Sequence, residues 1–228
     1  MFIGHYAVAP VAAATGKVKL WQAFIAVQLV DFVRAILNLV GVERTRIVEN
    51  FTASNHVDLY HMPYSHSLIF TVFWAIVAGA LFWVCNGRRN NGGALIIAML
   101  VISHWVLDVM VHAPDMTLVP GGEKFGFGLW NFIWLTLAIE VGFFIIAMLI
   151  YTRLTVPAQG NSVFWTLTFC AVLIGLQVYG TLGPVPASPA HMAGLALLGY
   201  VVITLGAWRY EETRDLYFEI VEDVYDRI

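Results

Sequence analysis

The stretch Ser103-His104-Trp105-Val106-Leu107-Asp108-Val109-Met110-Val111-His112 places two histidines and one aspartate inside a segment apolar enough to cross a bilayer. On a helix, side chains four residues apart lie on one face about one turn apart, so His104, Asp108 and His112 are expected to converge. An ionisable side chain at membrane depth is costly and usually faces the protein interior or a water-filled cavity. Three such groups, each able to bind a metal ion, indicate a site rather than core packing.

The composition around this stretch is that of an integral membrane protein. Charged residues make up 12% of the 228 residues and hydrophobic residues 60%, whereas soluble domains carry about 25% charged residues. The chain has no basic patch or stripe of the kind that binds nucleic acid, so we expect no nucleic-acid partner. Cys85 and Cys170 lie within apolar runs and are interpreted as small buried hydrophobic residues, not as a disulfide or a metal pair.

Six segments are long and apolar enough to span a bilayer as helices of about 20 residues. They are residues 18–40, 64–85, 93–113, 130–151, 162–182 and 190–209. The apolar segment 2–15 is too short for a span and is expected to be a tucked or re-entrant helix. Because it lacks a basic start, we interpret it as retained and not as a signal peptide. The predicted fold class is an all-α polytopic membrane bundle, with residues 1–210 as one domain.

Residues 211–228 are expected to form an acidic amphipathic tail. Its apolar residues fall at helical spacing with acids between them: Tyr217, Ile220, Val221, Val224 and Ile228. An anionic polar face suits anionic lipid poorly, so we expect the tail to pack on the bundle or on a partner chain. A homo-oligomer is one arrangement that this would allow.

The distribution of lysine and arginine indicates the orientation of the bundle. If all six spans cross, most basic residues collect on one side, which we assign to the cytoplasm: Lys17, Lys19, Arg88, Arg89, Arg153, Arg209 and Arg214. The loops 41–63 and 114–129 then face outward, although Arg44 and Arg46 run against the bias. On this topology Asp31, His104 and Glu140 lie at a similar depth, about 13–15 Å inside the outer surface.

Histidines elsewhere in the chain are expected to join the 104/108/112 face. His66 follows Pro63, which favours the first turn of a helix, so His66 would lie just inside the outer end of that span. An ionisable side chain in a short apolar helix is costly unless it has a function, so we also predict His5 as a ligand. Imidazole and carboxylate together favour Zn²⁺, with Mn²⁺ or Fe²⁺ as alternatives. The other interpretation of these groups is a hydrogen-bond network that only holds helices together.

Asp31 has two interpretations. It can form an ion pair with Arg34 at i+3, or it can bind the metal and leave Arg34 for an anion. A guanidinium matches phosphate in a bidentate geometry, so Arg34 is predicted to bind substrate.

Catalytic or ligand-orienting roles remain for a further group of residues: Glu140, Asp115 and His61. Glu140 has three candidate roles, namely orienting a ligating histidine, acting as a general base, or pairing with Arg34. His56 and Asp58 are expected to be solvated in a polar loop. We expect His191 to stand outside the site.

At these residues the chain resembles a family of bacterial inner-membrane proteins described as metal-dependent hydrolases, the YdjM-like (LexA-binding) group. The family pattern has an N-terminal His, an acidic motif ending the next helix, a His-rich helix start and a Ser-His-x3-Asp helix. The matching positions are His5, Asp31, Tyr64-Ser65-His66-Ser67 and Ser103-His104-x3-Asp108. A subgroup with His-x-Pro-Tyr-Ser-His-Ser, a His-x-Pro-Asp end and Pro-Gly-Gly…Gly-Leu-Trp-Asn is most similar, matching His61 to Ser67, His112 to Asp115 and Pro120 to Asn131.

The resemblance covers roughly residues 1–150 and implies a metal-dependent hydrolase of the bacterial inner membrane. Where the family has Pro-Asp-x-Asp, this chain has the single carboxylate Asp31. The resemblance therefore leaves open whether the site holds one metal ion or two. We predict hydrolysis of a lipid-borne ester, phosphodiester or amide by metal-activated water in the outer half of the bundle. The alternatives are an ion- or proton-coupled transporter using the same groups, a haem protein with His66 and His104 as axial ligands, and a structural protein.

Overall fold

The computed structural model describes residues 1–158 and 160–217 of the chain. Its helices are α1 (Ile3–Tyr6), α2 (Val8–Ala13), α3 (Leu20–Leu39), α4 (Leu68–Cys85), α5 (Asn91–Val111), α6 (Ile133–Leu154), α7 (Ser162–Leu182) and α8 (Pro189–Glu211). Within the described residues, the six helices α3 to α8 are long and apolar enough to cross a membrane. The predicted polytopic helical bundle and its six spans are therefore confirmed.

Helix α3 forms the centre of the bundle. It packs against α5 on one side and α8 on another, while α4 lies along α5. Its residues Phe24, Val27 and Val30 are fully buried. The outer helices instead expose large apolar side chains such as Ile76 and Leu198, which is the arrangement expected when lipid covers the outside.

The N-terminal segment is tucked into the bundle, as predicted, but as two short helices. Both α1 and α2 pack on α6, and α2 also packs on α3. Ile3, His5 and Tyr6 of α1 are almost completely buried. This segment places His5 among the long helices without crossing the membrane itself.

The loop predicted at 41–63 contains a β-hairpin that we did not anticipate. Strand β1 (Arg44–Thr52) pairs with β2 (Asn55–His61) in an antiparallel sheet. Val57 and Leu59 are buried on one side of β2 and alternate with more exposed residues, which is the period-two pattern of a half-buried strand. A second, smaller hairpin joins β3 (Met116–Thr117) to β4 (Lys124–Phe125).

The beginning of the predicted tail differs from expectation. Helix α8 continues to Glu211, and the chain then forms the strand β6 (Arg214–Leu216), which pairs antiparallel with β5 (Thr155–Pro157). The Arg214 guanidinium donates to the Thr155 hydroxyl and to backbone carbonyls nearby, so this long-range pairing overrides the local helical pattern. The rest of the expected tail helix, residues 218–228, lies outside the described residues.

The cysteine prediction was only partly right. Cys85 and Cys170 form no disulfide. Cys85, however, is exposed at the last residue of α4, and Cys170 is half-buried on α7. An apolar run does not imply burial here, because a membrane helix also presents apolar side chains to lipid.

Candidate metal centre

The predicted ligands converge on the carboxylate of Asp108. Its Oδ2 lies 3.1 Å from His104 Nε2 and 3.4 Å from His66 Nε2. Its Oδ1 lies 3.0 Å from His5 Nε2 and 3.4 Å from His112 Nε2. All five side chains are buried, so four imidazoles surround one carboxylate in the interior of the protein.

Asp31 adds a second carboxylate to this cluster. Its Oδ1 lies 3.5 Å from His66 Nε2. In the described residues two sets of ligand atoms lie within 4.8 Å of one another: His5, Asp31 and His104 form one set, and His66, His104 and Asp108 form the other. Distances of this size are expected between ligand atoms that each lie about 2 Å from a common ion.

Two of the histidines are held by acceptors behind their rings. His104 Nδ1 lies 2.6 Å from the carbonyl oxygen of Val27, and His112 Nδ1 lies 2.9 Å from Asp115 Oδ1. A carbonyl can only accept, so Nδ1 of His104 carries its hydrogen. In the neutral ring the lone pair is then on Nε2, which faces Asp108. Metal-binding histidines are oriented by such second contacts.

His66 is held in the same way, through a serine. Its Nδ1 lies 2.7 Å from Ser65 Oγ, and that hydroxyl donates to Glu43 Oε2 at 2.7 Å. Glu43 is buried and also accepts from the backbone N–H groups of Tyr64 and Ser65. The chain Glu43–Ser65–His66 therefore fixes the ring and directs Nε2 at the cluster. Glu43 was not among the predicted residues, and no motif spacing marks it.

Two of the four nitrogen atoms that face the cluster lack hydrogen-bond partners. His5 Nε2 and His104 Nε2 are buried and unpaired within the described residues, although each lies close to an Asp108 oxygen. Buried polar atoms are almost always satisfied, and an orphan in a native structure points to a missing water or ion. The donors and their orientation therefore fit a divalent cation.

The side chains of the cluster lie on different structural elements. Asp31 lies in the middle of α3, and His104 and Asp108 lie one turn apart on α5. Helix α5 ends at Val111, so His112 is the first residue after it, and its N–H still donates to the Asp108 carbonyl at 2.9 Å. Ser67 is the N-cap of α4, which places His66 just before that helix.

Glu140 holds the N-terminal segment in place. Its Oε2 accepts from the N–H groups of Phe2 at 2.8 Å and Gly4 at 3.2 Å, while its Oε1 has no partner within the described residues. On α7, Gln177 Oε1 accepts from the N–H of Ile3. The Met1 amino group lies 2.5 Å from Asp108 Oδ1. Two spans thus fix the turn that carries His5.

The three cluster histidines outside the long helices differ in their basicity. Burial, together with the charge of His104, lowers the pKa of His5 to about 3. Burial opposes protonation of His66 too, but the facing carboxylates of Asp108 and Asp31 outweigh it and raise the pKa of His66 to about 9. Burial is likewise outweighed at His112 by Asp108 and Asp115, so its pKa is raised. A cation bound here would displace such protons, because it requires neutral imidazole.

Asp31 is also tied to its surroundings. The Arg34 Nε donates to Asp31 Oδ1 at 2.8 Å, so the i, i+3 ion pair that the sequence allowed is present. Asp31 Oδ2 accepts from Gln28 Nε2 at 2.6 Å and from the Tyr200 hydroxyl at 3.2 Å. Tyr200 lies on α8, beyond the part of the chain that carries the recognisable motifs, and sequence reasoning missed it.

A cavity of about 170 Å³ opens beside the cluster. Asp31, Arg34, His66, Asp108 and His112 line it from the bundle. The other lining residues come from the two residues before α1, the β1–β2 hairpin, the turn at 129–131 and α8: Met1, Phe2, Asn55, Val57, Leu59, Trp130, Met192 and Tyr200. A larger cavity of about 380 Å³ lies where α3 begins, but it holds none of the predicted ligands.

Some predicted residues lie outside the cluster. His61 is exposed at the end of β2 and shares a separate cavity of about 140 Å³ with Asp115. Asp115 reaches the cluster only through His112. His191 is exposed near the start of α8. His191 stands apart from the site, as expected. His56 and Asp58 were expected to be solvated in a loop, but they lie in the strand β2, where Asp58 pairs with Arg46 and His56 Nδ1 accepts from the Asn50 N–H.

Comparison with known proteins identifies one family. A family model described as YdjM inner membrane protein matches residues 3–183. That match extends from the first ligand on α1 to the end of α7 and includes every ligand of the cluster. No curated protein and no solved structure matches the chain.

Proposed function

The chain belongs to the YdjM inner membrane protein family, and we propose that it is a membrane-embedded metal-dependent hydrolase. The proposed substrate is a lipid-borne ester, phosphodiester or amide. The observation that carries the proposal is the cluster in which His5 Nε2 and His104 Nε2 face Asp108 without hydrogen-bond partners in the described part of the chain. A purely structural network would be expected to satisfy these buried atoms.

The donor set favours zinc. Imidazole nitrogen and carboxylate oxygen are the common protein ligands of Zn²⁺, and Mn²⁺ or Fe²⁺ are the alternatives. The proposed ligands are His5, Asp31, His66, His104, Asp108 and His112, which supply one ion or two. A divalent ion in such a site makes bound water acidic near neutral pH and polarises the scissile group.

The protein residues around the ion have distinct proposed tasks. Asp115 and the Glu43–Ser65 pair hold His112 and His66 with Nε2 directed at the centre. Glu140 holds α1, and its Oε1, which has no partner in the described part of the chain, makes it the candidate general base. The apolar hairpin residues Val57 and Leu59 line the cavity and limit the access of bulk water.

We place the site in the outer half of the membrane. Most lysine and arginine side chains lie at the other end of the bundle, where α3 begins and α4 ends, and this bias favours the cytoplasm for that end. The cavity would then be open to substrates from the outer leaflet.

The ion content of the detergent-purified protein tests this proposal. We expect roughly one or two equivalents of zinc, manganese or iron per chain, most of which is lost in His104→Ala and in Asp108→Ala, because a missing ligand opens the coordination shell. His191→Ala, which removes an exposed histidine, is the matched control and should keep its metal. Helical circular dichroism and gel filtration verify folding. Full metal occupancy in the His104→Ala/Asp108→Ala double variant would contradict the assignment.

A further inference from the structure

Arg34 is a half-buried cation, and among the described residues most of its hydrogen-bonding capacity is unused. Its side chain is only 12% exposed, and a guanidinium carries five N–H donors. The Nε donor goes to Asp31 Oδ1, whereas the two terminal nitrogens make no hydrogen bond to any described residue. Because Arg34 lines a cavity, these charged donors are available to a ligand that enters it.

The free donors and the proposed ion ligands border the same space. Arg34 lines the cavity of about 170 Å³ together with His66, Asp108 and His112. A group in this cavity can therefore contact the guanidinium and the metal centre at once. Asn55 lines it as well, and its Oδ1 already accepts from Val57 N–H, which leaves its amide N–H₂ as a further donor.

The positive charge of Arg34 would be less well compensated if the centre bound a cation. Its only carboxylate partner among the described residues is Asp31, and Asp31 belongs to one of the two sets able to hold an ion. An ion that draws on this carboxylate weakens the attraction between Asp31 and Arg34. An anionic ligand would restore the balance, whereas a neutral carboxylic ester or an amide would not.

We propose that the cavity takes a phosphate ester, with its phosphoryl oxygens bound by the terminal nitrogens of Arg34. The planar guanidinium matches two phosphate oxygens in a bidentate geometry. This inference rests on the proposed function, because the residues that would hold the metal ion line the same cavity. In the reaction, the oxygen of water bonds to phosphorus and the P–O bond to the alcohol breaks. The electron pair stays on the alcohol oxygen, which takes a proton, so the products are an alcohol and a phosphate.

The test measures binding of inorganic phosphate to zinc-loaded, detergent-purified protein by calorimetry, with the zinc content determined in every sample. In Arg34→Gln we expect phosphate affinity to fall about 10- to 100-fold, as for loss of a charge-assisted pair, with zinc retained. Arg34→Lys keeps the positive charge but loses the planar pair of terminal nitrogens. Its phosphate affinity should lie between those of the unmodified protein and Arg34→Gln. Arg46→Gln is the matched control, since Arg46 is 62% exposed on the hairpin. This variant should bind phosphate with the affinity of the unmodified protein.

Competition against bound phosphate separates the two sources of a phosphate ester. Displacement by phosphatidic acid micelles but not by glycerol 3-phosphate would assign a lipid headgroup, and the reverse would assign a soluble ester; either supports the inference. Equal phosphate affinity in Arg34→Gln and the unmodified protein, or zinc binding without any phosphate binding, would overturn this inference and leave the proposed hydrolase standing. A protein that binds no zinc, manganese or iron would overturn both.

Discussion

At the scale of single residues, the direction of each imidazole distinguishes this cluster from ordinary buried polar groups. Four histidines direct Nε2 toward Asp108, and three of them are held at Nδ1 by Val27, Asp115 or Ser65. The orientation of these three rings is thus fixed before any ligand arrives. Such second contacts commonly change metal affinity by about 10- to 100-fold when they are removed.

Glu43 allows a direct test of this orientation. Glu43→Gln should weaken the hold on Ser65 and His66, because an amide lacks the charge and has one acceptor oxygen in place of two. We expect zinc affinity to fall about 10- to 100-fold, measured by competition with a chromophoric chelator.

Glu49→Gln is the matched control, since Glu49 is exposed on β1 and should leave zinc affinity unchanged. Glu43→Asp retains the charge and should recover part of the loss. Unchanged zinc affinity in a folded Glu43→Gln variant would show that His66 does not need this support.

At the scale of elements, the site depends on how short segments are joined to long helices. The helix α1 has only four residues and cannot be stable by itself. It is held through backbone N–H groups by Glu140 on α6 and by Gln177 on α7. His5 consequently has a fixed position although its own helix is a single turn.

Glu140→Gln tests whether the contact between Glu140 and α1 supports metal binding. The amide oxygen of glutamine can still accept from the Phe2 and Gly4 N–H groups, but the bonds lose the charge assistance that makes each worth about 1.5–3 kcal/mol. We expect a lower melting temperature together with a loss of zinc affinity of about tenfold, because His5 is held less firmly.

The matched control for this variant is Glu211→Gln. Glu211 Oε1 accepts from the Leu20 N–H at the opposite end of α3, so its loss should lower the melting temperature and leave zinc affinity unchanged. If Glu140→Gln abolished hydrolysis with unchanged zinc affinity and stability, Glu140 would act as the base and not as the support of α1.

At the scale of the whole molecule, the site lies toward one end of an asymmetric bundle. Helix α4 begins beside His66 and ends at Cys85, so the hairpin β1–β2 and Cys85 lie at opposite ends. The last two helices, α7 and α8, complete the bundle and contribute Gln177 and Tyr200 to the surroundings of the site.

The orientation can be measured with thiol labelling in intact cells. Glu49→Cys in a Cys85→Ala/Cys170→Ala background should react with a membrane-impermeant maleimide, because the arginine and lysine bias favours the outside for the hairpin. Arg89→Cys in the same background lies exposed between α4 and α5 at the other end and should react only after permeabilisation. The opposite pattern would place the site in the inner leaflet.

Local patterns were sufficient to predict the fold class and the candidate ligands. Spans of about 20 apolar residues identify membrane helices without reference to partners, and the spacing of His104 and Asp108 determines that they share a helix face. The cost of ionisable groups at membrane depth also indicated that Asp31 and Glu140 would turn inward. These inferences depend on residues close together in the chain or on the membrane itself.

Only the tertiary structure decided which distant groups support the ligands. Glu43 meets Ser65 across 22 residues of chain, and Tyr200 meets Asp31 across 169. No spacing rule predicts such pairs, because they arise from the packing of separate elements. The β1–β2 hairpin was likewise missed, since strand pairing depends on cross-strand neighbours as much as on local pattern. Which donors of Arg34 stay free depends on every group around it, and that is a property of the folded molecule alone.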